Sequence, residues 1–430
     1  MIPRKIAFII LIAAANLLAG CSIIEEAFAP LPTLPPTAIL PTAAIYTPTP
    51  WPTPMDTATP TTTPTPKPTH TPRPAATSTA TMPPIIHIAP NNFPDYANPL
   101  TGLPVADPLL LDRKPVIVKV SNYPHSVRPQ WGISLADQVF EYYLEDGLTR
   151  FAAVFHGQDA TQVGPIRSGR IFDATLLQMY NAVVVFNGAD QKVVNYFKDN
   201  GIYNDLVVER PGVTPLWRDE TRYPPHNLFG NTAAISAHVT ERGSGNQRPD
   251  LVTNAFYSIG NYGNDWAMRV DINYSYANYA YWEYDAESGR YLRYQGSVDN
   301  LNNNPQYQPL ADNLTGLPIA ADNVVIIFAP HEFYYLSSDT EIFYINLEEQ
   351  GPAYVFRDGK GNPATWVRTA EDKPLSIRKE GGGDYFPLRP GVTFFQVMHS
   401  DSTMSRDGAN WQFDFVRPTP PPPPTSTVKP

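Results

Sequence analysis

The chain holds one cysteine in 430 residues, Cys21. No intrachain disulfide can form, so whatever folds here rests on packing alone. No Lys/Arg-rich run occurs and the formal net charge is −10, which argues against a nucleic-acid partner. No apolar run reaches the ~20 residues that a comfortable membrane-spanning helix needs. G-x-S-x-G, H-E-x-x-H and G-x-x-x-x-G-K-[ST] are missing, as is any Cys or His pair at metal-ligand spacing, so neither a metal nor a cofactor is expected. Carboxylate, arginine and histidine chemistry is what remains.

Proline, by contrast, is abundant, with 48 residues unevenly placed. From about Pro30 to Pro84 the chain is almost entirely Pro, Thr, Ala and Ser, and PTPPPPPTSTVKP closes it at 418–430. Such stretches bury too little apolar surface to offset the entropy of ordering. Residues 22–95 are therefore expected to be a disordered Pro/Thr-rich tether, and 417–430 a short disordered tail. At ~3.1 Å per residue in polyproline II the tether would reach on the order of 200 Å.

Ahead of it, Met1 to Gly20 has a charged start (Arg4, Lys5), an apolar run from Ile6 to Leu18, and small residues before Cys21. That is the layout of a signal peptide. Leu18-Ala19-Gly20-Cys21 resembles a bacterial lipobox, after which the signal is cut and the cysteine takes a lipid. Residues 1–21 are read as a lipoprotein signal peptide, Cys21 as its lipidation site, and the rest as extracytoplasmic and held to the membrane by that lipid. With Cys21 so used, thiol catalysis is excluded.

About 320 residues are left to fold, enough for a sizeable core. The expected class is α/β (α+β): residues 96–260 form an α/β module with a mixed sheet and helices, and 261–416 a β-rich module. β-branched runs predict strands at Pro115 to Val120 and Ala182 to Phe186. Val139 to Glu145 alternates, Asp146-Gly147 is a two-residue turn signal, and Leu148 to Phe155 returns as the partner strand. In that register Tyr143 faces Arg150, which places Arg150 between Glu141 and Glu145 on one face. Helical patterns follow Ser168, an expected N-cap, and cover Gln191 to Lys198 and about Asn231 to Arg242. LTGLP occurs at 100–104 and again at 314–318, each time before a predicted strand; the choice is between a weak internal duplication and chance, and chance is favoured because nothing else nearby aligns. The Tyr-rich strands from Trp266 onward are either core or a stacking platform for sugar or peptide.

Candidate functional residues gather in loops at strand ends. Asn122, Arg128, Arg150, Arg167, Arg170 and Asn227 are the binding candidates. Two arginines beside a helix start suit an anionic group. Glu141 and Glu145 are candidate general bases, and His226, fixed behind Pro224 and Pro225, is a candidate acid. A binding or accessory protein for an anionic or sugar-containing cell-wall ligand is the leading reading. The alternative is an envelope glycan or phosphodiester hydrolase or transferase, with Arg167 and Arg170 clamping the anion. A protein partner stays open.

The chain resembles the YerB-like bacterial lipoproteins, a family of unknown function. The resemblance rests on NPLTGLP, Asn122 with Arg128-Pro129-Gln130, Gly132-Ile133-Ser134, Glu145-Asp146-Gly147-Leu148-Thr149-Arg150-Phe151 and Gly164-Pro165-Ile166-Arg167-Ser168-Gly169-Arg170. Later matches are Trp217-Arg218-Asp219, Pro225-His226-Asn227, Ala353 to Gly359 and Leu388-Arg389-Pro390-Gly391. It implies an α/β N-terminal module, a β-rich C-terminal module and an extracytoplasmic address, and it transfers no reaction. Lys119 and Ser121 stand where relatives more often carry Met and Asp.

Overall fold

The computed structural model describes residues 85–260 and 262–420. The expected signal peptide with Cys21, the tether up to residue 84, and residues 421–430 lie outside the described residues.

The fold is α/β and is built on one ten-stranded mixed sheet. Its strands are β1 (Val116–Ser121), β2 (Gln138–Tyr143), β3 (Thr149–Phe155), β4 (Val183–Phe186), β5 (Leu206–Val208), β6 (Asn323–Ala329), β7 (Gln350–Arg357), β8 (Lys360–Val367), β9 (Ser376–Lys379) and β10 (Thr393–His399). They lie in the order β9-β8-β7-β6-β10-β2-β3-β1-β4-β5. β10 runs parallel to β2, with Phe395 opposite Phe140, so strands from both sides of residue 260 share the sheet.

Every residue of β1, β2 and β3 is buried, as in a sheet covered on both faces. One face packs on α1 (Ile171–Tyr180) and α2 (Gln191–Asp199) through Ile117, Phe140, Ala152 and Val184. The other meets α3 (Thr232–Glu241) and a second, seven-stranded sheet through Val118, Val139, Phe151 and Phe394. The second sheet includes Arg269–Asn273, Tyr279–Asp285, Arg290–Gly296 and Asn410–Asp414, and its Trp282 and Trp411 enter the shared core. The period of two along each strand decides which side chain meets which layer.

The β2–β3 hairpin corrects the expected register. Asp146 and Gly147 do form the turn, at φ 51° and 77°, and Leu148 N–H donates to Glu145 O at 2.8 Å. Leu144 N–H also donates to Leu148 O at 2.9 Å, which leaves one extra residue on the β2 side. Past this bulge Tyr142, not Tyr143, faces Arg150, and Glu141 faces Phe151. A one-residue slip exchanges the faces of a strand. Arg150 and Glu141 therefore lie on opposite sides of the sheet.

The two LTGLP copies form the same loop. Gly102 N–H reaches Asn98 O and Gly316 N–H reaches Asp312 O, both at 2.8 Å. Asn98 Oδ1 accepts from Leu100 N and Asp312 Oδ1 from Leu314 N, at 2.9 and 2.8 Å. The glycines take φ 68° and 73°, a conformation that suits glycine. An Asx side chain and a left-handed glycine favour this turn locally, so the two phrases do the same structural job.

The fold also begins before the expected end of the tether. His87–Ile88 pairs antiparallel with Phe256–Tyr257, because Ile85, Ile86 and Ile88 supply β-branched side chains within the stretch read as tether. The tyrosines of the second sheet are largely engaged with one another. Tyr281 is held between Arg269, at 3.7 Å, and Tyr294, stacked at 4.6 Å, with Tyr307 edge-on at 4.8 Å. Both faces of Tyr281 are thus occupied, leaving that ring no free face for stacking a ligand.

Candidate functional site

The sequence-predicted residues separate into two groups. The first is buried between the sheets. Glu141 Oε2 accepts from Arg293 Nη2 at 2.7 Å, and each residue is 1% exposed. Glu141 Oε1 accepts from Asn122 Nδ2 at 2.9 Å and from Thr149 Oγ1 at 2.8 Å. The Arg293 guanidinium sits 5.1–5.2 Å from the Phe151, Trp282 and Phe394 rings. Arg128 closes this group, donating Nη2 to Asn122 O at 2.6 Å and Nη1 to Gly296 O. Asn122, Arg128 and Glu141 thus join two layers of the fold, with Glu141 on the face of the sheet opposite Arg150.

The second group lies on the helix face, where the segment from Val163 to Gly169 crosses the carboxyl ends of parallel β1 and β4. Arg167 N–H donates to Lys119 O at 2.9 Å and Asn187 N–H to Arg167 O at 3.0 Å. Ile166 N–H donates to Leu228 O at 2.7 Å, which brings the loop carrying His226 alongside. α1 starts at Ile171, with Arg170 and not Ser168 in the cap position. Asp173 Oδ2 accepts from Arg170 N–H at 2.7 Å, so a carboxylate of the helix's own first turn already occupies its positive end. Asp173 is held in turn by Lys119, at 2.9 Å, and by the Tyr142 hydroxyl. Burial brings the Lys119 amine down to about 7 against the pull of Asp173.

Arg170 and Glu145 form a two-pronged ion pair, with Nε to Oε2 at 2.8 Å. Burial pushes the Glu145 carboxyl up, but Arg170, Arg150 and Lys119 together hold it below the usual range. Arg150 is 7% exposed, and its hydrogen bond to the protein runs from Nη1 to Ser168 O at 2.7 Å. No carboxylate lies within salt-bridge distance of Arg150 or Arg167 among the described residues. Burial, then the Arg170 charge, bring the Arg150 guanidinium down to about 9. Arg167 shifts the same way for the same two reasons, and its buried Nε has no partner.

His226 belongs to this cationic group. Burial and then Arg167, Arg150 and Arg222 bring its imidazole down to about 4, and its buried Nδ1 is unpaired. Arg222 donates Nε to His226 O at 3.2 Å and lies over Trp131 at 4.7 Å. Asn227 braces the loop from behind, accepting from Arg218 Nη1 at 2.7 Å. Arg170 and Glu145 also wall a cavity of about 500 Å³, lined further by Asp146, Ser168, Asp190, Ser337 to Glu341 and Arg417.

Two domain profiles of one family match this chain. The N-terminal domain of the family described as "Protein of unknown function (DUF3048)" matches residues 100–245, and its C-terminal domain matches 270–395. YerB of Bacillus subtilis (strain 168), a candidate lipoprotein by its name, is 27% identical over 310 residues, covering 70% of this chain and 85% of YerB. The crystal structure of YerB from Bacillus subtilis matches with a TM-score of 0.57 over 71% of this chain and 97% of that one. The chain belongs to the YerB-like family.

In this YerB-like fold several functional neighbours were hidden from sequence reasoning. Arg222 stands within the phrase that carries His226, but its contact with the site depends on how the loop folds back. Arg293 lies 152 residues from Glu141, and no local pattern links them. His125 is another: its Nδ1 accepts from Arg128 Nη1 at 2.7 Å and its Nε2 faces Asp299 Oδ1 at 2.9 Å. No group of three His, Cys, Asp or Glu side chains gathers in a metal-binding arrangement among the described residues.

Proposed function

We propose that this YerB-like chain is an envelope-anchored binding protein, held to the membrane by a lipid on Cys21, that grips an anionic group of a cell-wall ligand between Arg150, Arg167 and His226. One observation carries the reading. Among the described residues Arg150 is buried without a carboxylate partner, beside Arg167, whose side chain makes no hydrogen bond there. An unpaired buried charge costs several kcal/mol, on the order of what a bound anion would restore. The acid–base alternative keeps little support. Glu141 is on the other face, the Glu145 carboxylate is bound by Arg170, and an imidazole held near 4 is a poor proton donor at neutral pH.

Arg167→Ala tests this directly. Because Arg167 braces nothing and repels Arg150 and Arg170, the unliganded variant is expected to melt at the same temperature as the wild type or slightly higher. The thermal shift given by sulfate or by a glycerol phosphodiester should be lost, with affinity lowered roughly 10- to 100-fold, the range of a charge-assisted hydrogen bond. An unchanged ligand shift in the variant would sink the proposal.

His226 adds a pH signature. An anion beside the imidazole favours its protonated form, so binding draws in a proton. Sulfate does not titrate in the relevant range. Its affinity is expected to rise as pH falls from 7 and to level off near pH 4, where free His226 is already protonated. His226→Gln should flatten that profile in titration calorimetry.

A further inference from the structure

The unpaired charge around the proposed anion site is of two signs, and they are separated in space. On one side stand Arg150 and Arg167, without carboxylates. On the other, the 500 Å³ cavity behind the Arg170–Glu145 pair carries five carboxylates against two guanidiniums. Glu145 is taken by Arg170 and Glu341 by Arg417. Asp146, Asp190 and Asp339 remain, all exposed at the rim, with no Lys, Arg or His nitrogen within 4 Å among the described residues. The rest of the lining is part hydroxylic, from Ser168, Ser337, Ser338 and Thr340, and part aliphatic, from Val193, Leu336 and Ile342.

Ser168 joins the two halves. Its carbonyl accepts from Arg150, and the residue also lines the cavity. A ligand that was anionic throughout would meet repulsion from three carboxylates as soon as it extended past Arg170. A ligand with its anion at the arginines and an ammonium that reaches past Arg170 into the cavity would meet complementary charge at both ends, with Ser168 between them.

Resting on the proposed anion site, we propose that the ligand is zwitterionic: a phosphate held by Arg150, Arg167 and His226, joined through a hydroxylated sugar or polyol unit to a primary ammonium that the Asp146, Asp190 and Asp339 rim receives. The ammonium contacts are solvent-exposed, so each adds a modest factor and the three together supply selectivity rather than most of the affinity.

Calorimetric titration of the full chain with glucosamine 6-phosphate, glucose 6-phosphate and glucosamine tests it. Glucosamine 6-phosphate is expected to bind at least ~5-fold tighter than glucose 6-phosphate, the factor for about one exposed ion pair. Asp146→Asn/Asp339→Asn should weaken the amino sugar phosphate and strengthen glucose 6-phosphate, closing the gap. Asparagine tolerates the left-handed backbone at position 146, where φ is 51°, so the turn survives the change. Equal affinity for the two phosphates, with both lost in Arg167→Ala, would overturn the zwitterion and leave the anion site standing. Binding of both unaffected by Arg167→Ala would overturn the anion site itself. Vesicles of phosphatidylglycerol with and without phosphatidylethanolamine test the link between the two charges: ethanolamine carries no hydroxyl between phosphate and ammonium, so capture that needs the ethanolamine lipid and Asp339 would overturn the sugar or polyol unit. No such capture, beside a glucosamine 6-phosphate preference, supports it on a soluble or wall-borne unit.

Discussion

Glu141→Ala is expected to destabilise the fold by about 3–5 kcal/mol, the cost of leaving one partner of a buried ion pair uncompensated. The partner is Arg293, 1% exposed and enclosed by three aromatic rings. Removing the carboxylate strands that guanidinium, and it also strips acceptors from Asn122 and Thr149. Burial of unsatisfied donors adds to the loss. The double variant Glu141→Leu/Arg293→Met should recover most of the stability, since an apolar pair of similar volume avoids the desolvation of both charges. Urea denaturation at pH 7 checks both. A Glu141→Ala variant within 1 kcal/mol of wild type would show that the pair does not brace the two sheets. The anion-dependent thermal shift should persist in the double variant, because Arg150 and Arg167 lie on the other face of β2 and β3.

The same pair marks the boundary of what the sequence could reveal. β1, β4 and the three helices were legible because their signals are local. Val116, Ile117, Val118 and Val120 are β-branched, Asp190 caps α2 by accepting from Lys192 N at 2.8 Å, and Asn231 caps α3 by accepting from Ala234 N at 3.0 Å. The Asp146-Gly147 turn was legible for the same reason. The bulge at Leu144 was not, since no residue type demands it and the packing of both faces of β2 selects the register. That single residue decided whether Glu141 and Arg150 shared a site. Arg167 and His226 were readable as candidates from their motifs, whereas their meeting depends on the bond from Ile166 N–H to Leu228 O, 62 residues apart in the chain. Asp173 at the helix start shows a third kind of limit. The sequence offered an open helix terminus, and a first-turn carboxylate filled it.

Acidification from pH 6 to 4.5 is expected to cost the fold more than about 2 kcal/mol, and His156 to be responsible for much of the slope. His156 is 0% exposed with neither ring nitrogen bonded, and burial brings it down to about 3. His331, also buried, is brought to about 3 mainly by the same desolvation. Between the unfolded value near 6.5 and these folded values, the unfolded chain binds two protons that the fold refuses. Stability therefore falls with pH by ~1.4 kcal/mol per unit for each histidine. Asp137 opposes them. Burial raises its carboxyl to about 6 although His156 N–H and Gly157 N–H donate to it, so the fold takes up a proton that the unfolded chain accepts only near 3.8. In that window Asp137 returns ~1.4 kcal/mol per unit, so these three groups leave the loss of one histidine, and half-buried His226, brought down to about 4, adds a smaller loss of the same sign. His156→Leu removes one of the opposing losses. Its urea midpoint should decline less than half as steeply as the wild-type midpoint between pH 6 and 4.5, the remainder coming from His226. A variant that kept the full wild-type slope would mean that His156 does not titrate between its folded and unfolded states and that the slope lies with other groups.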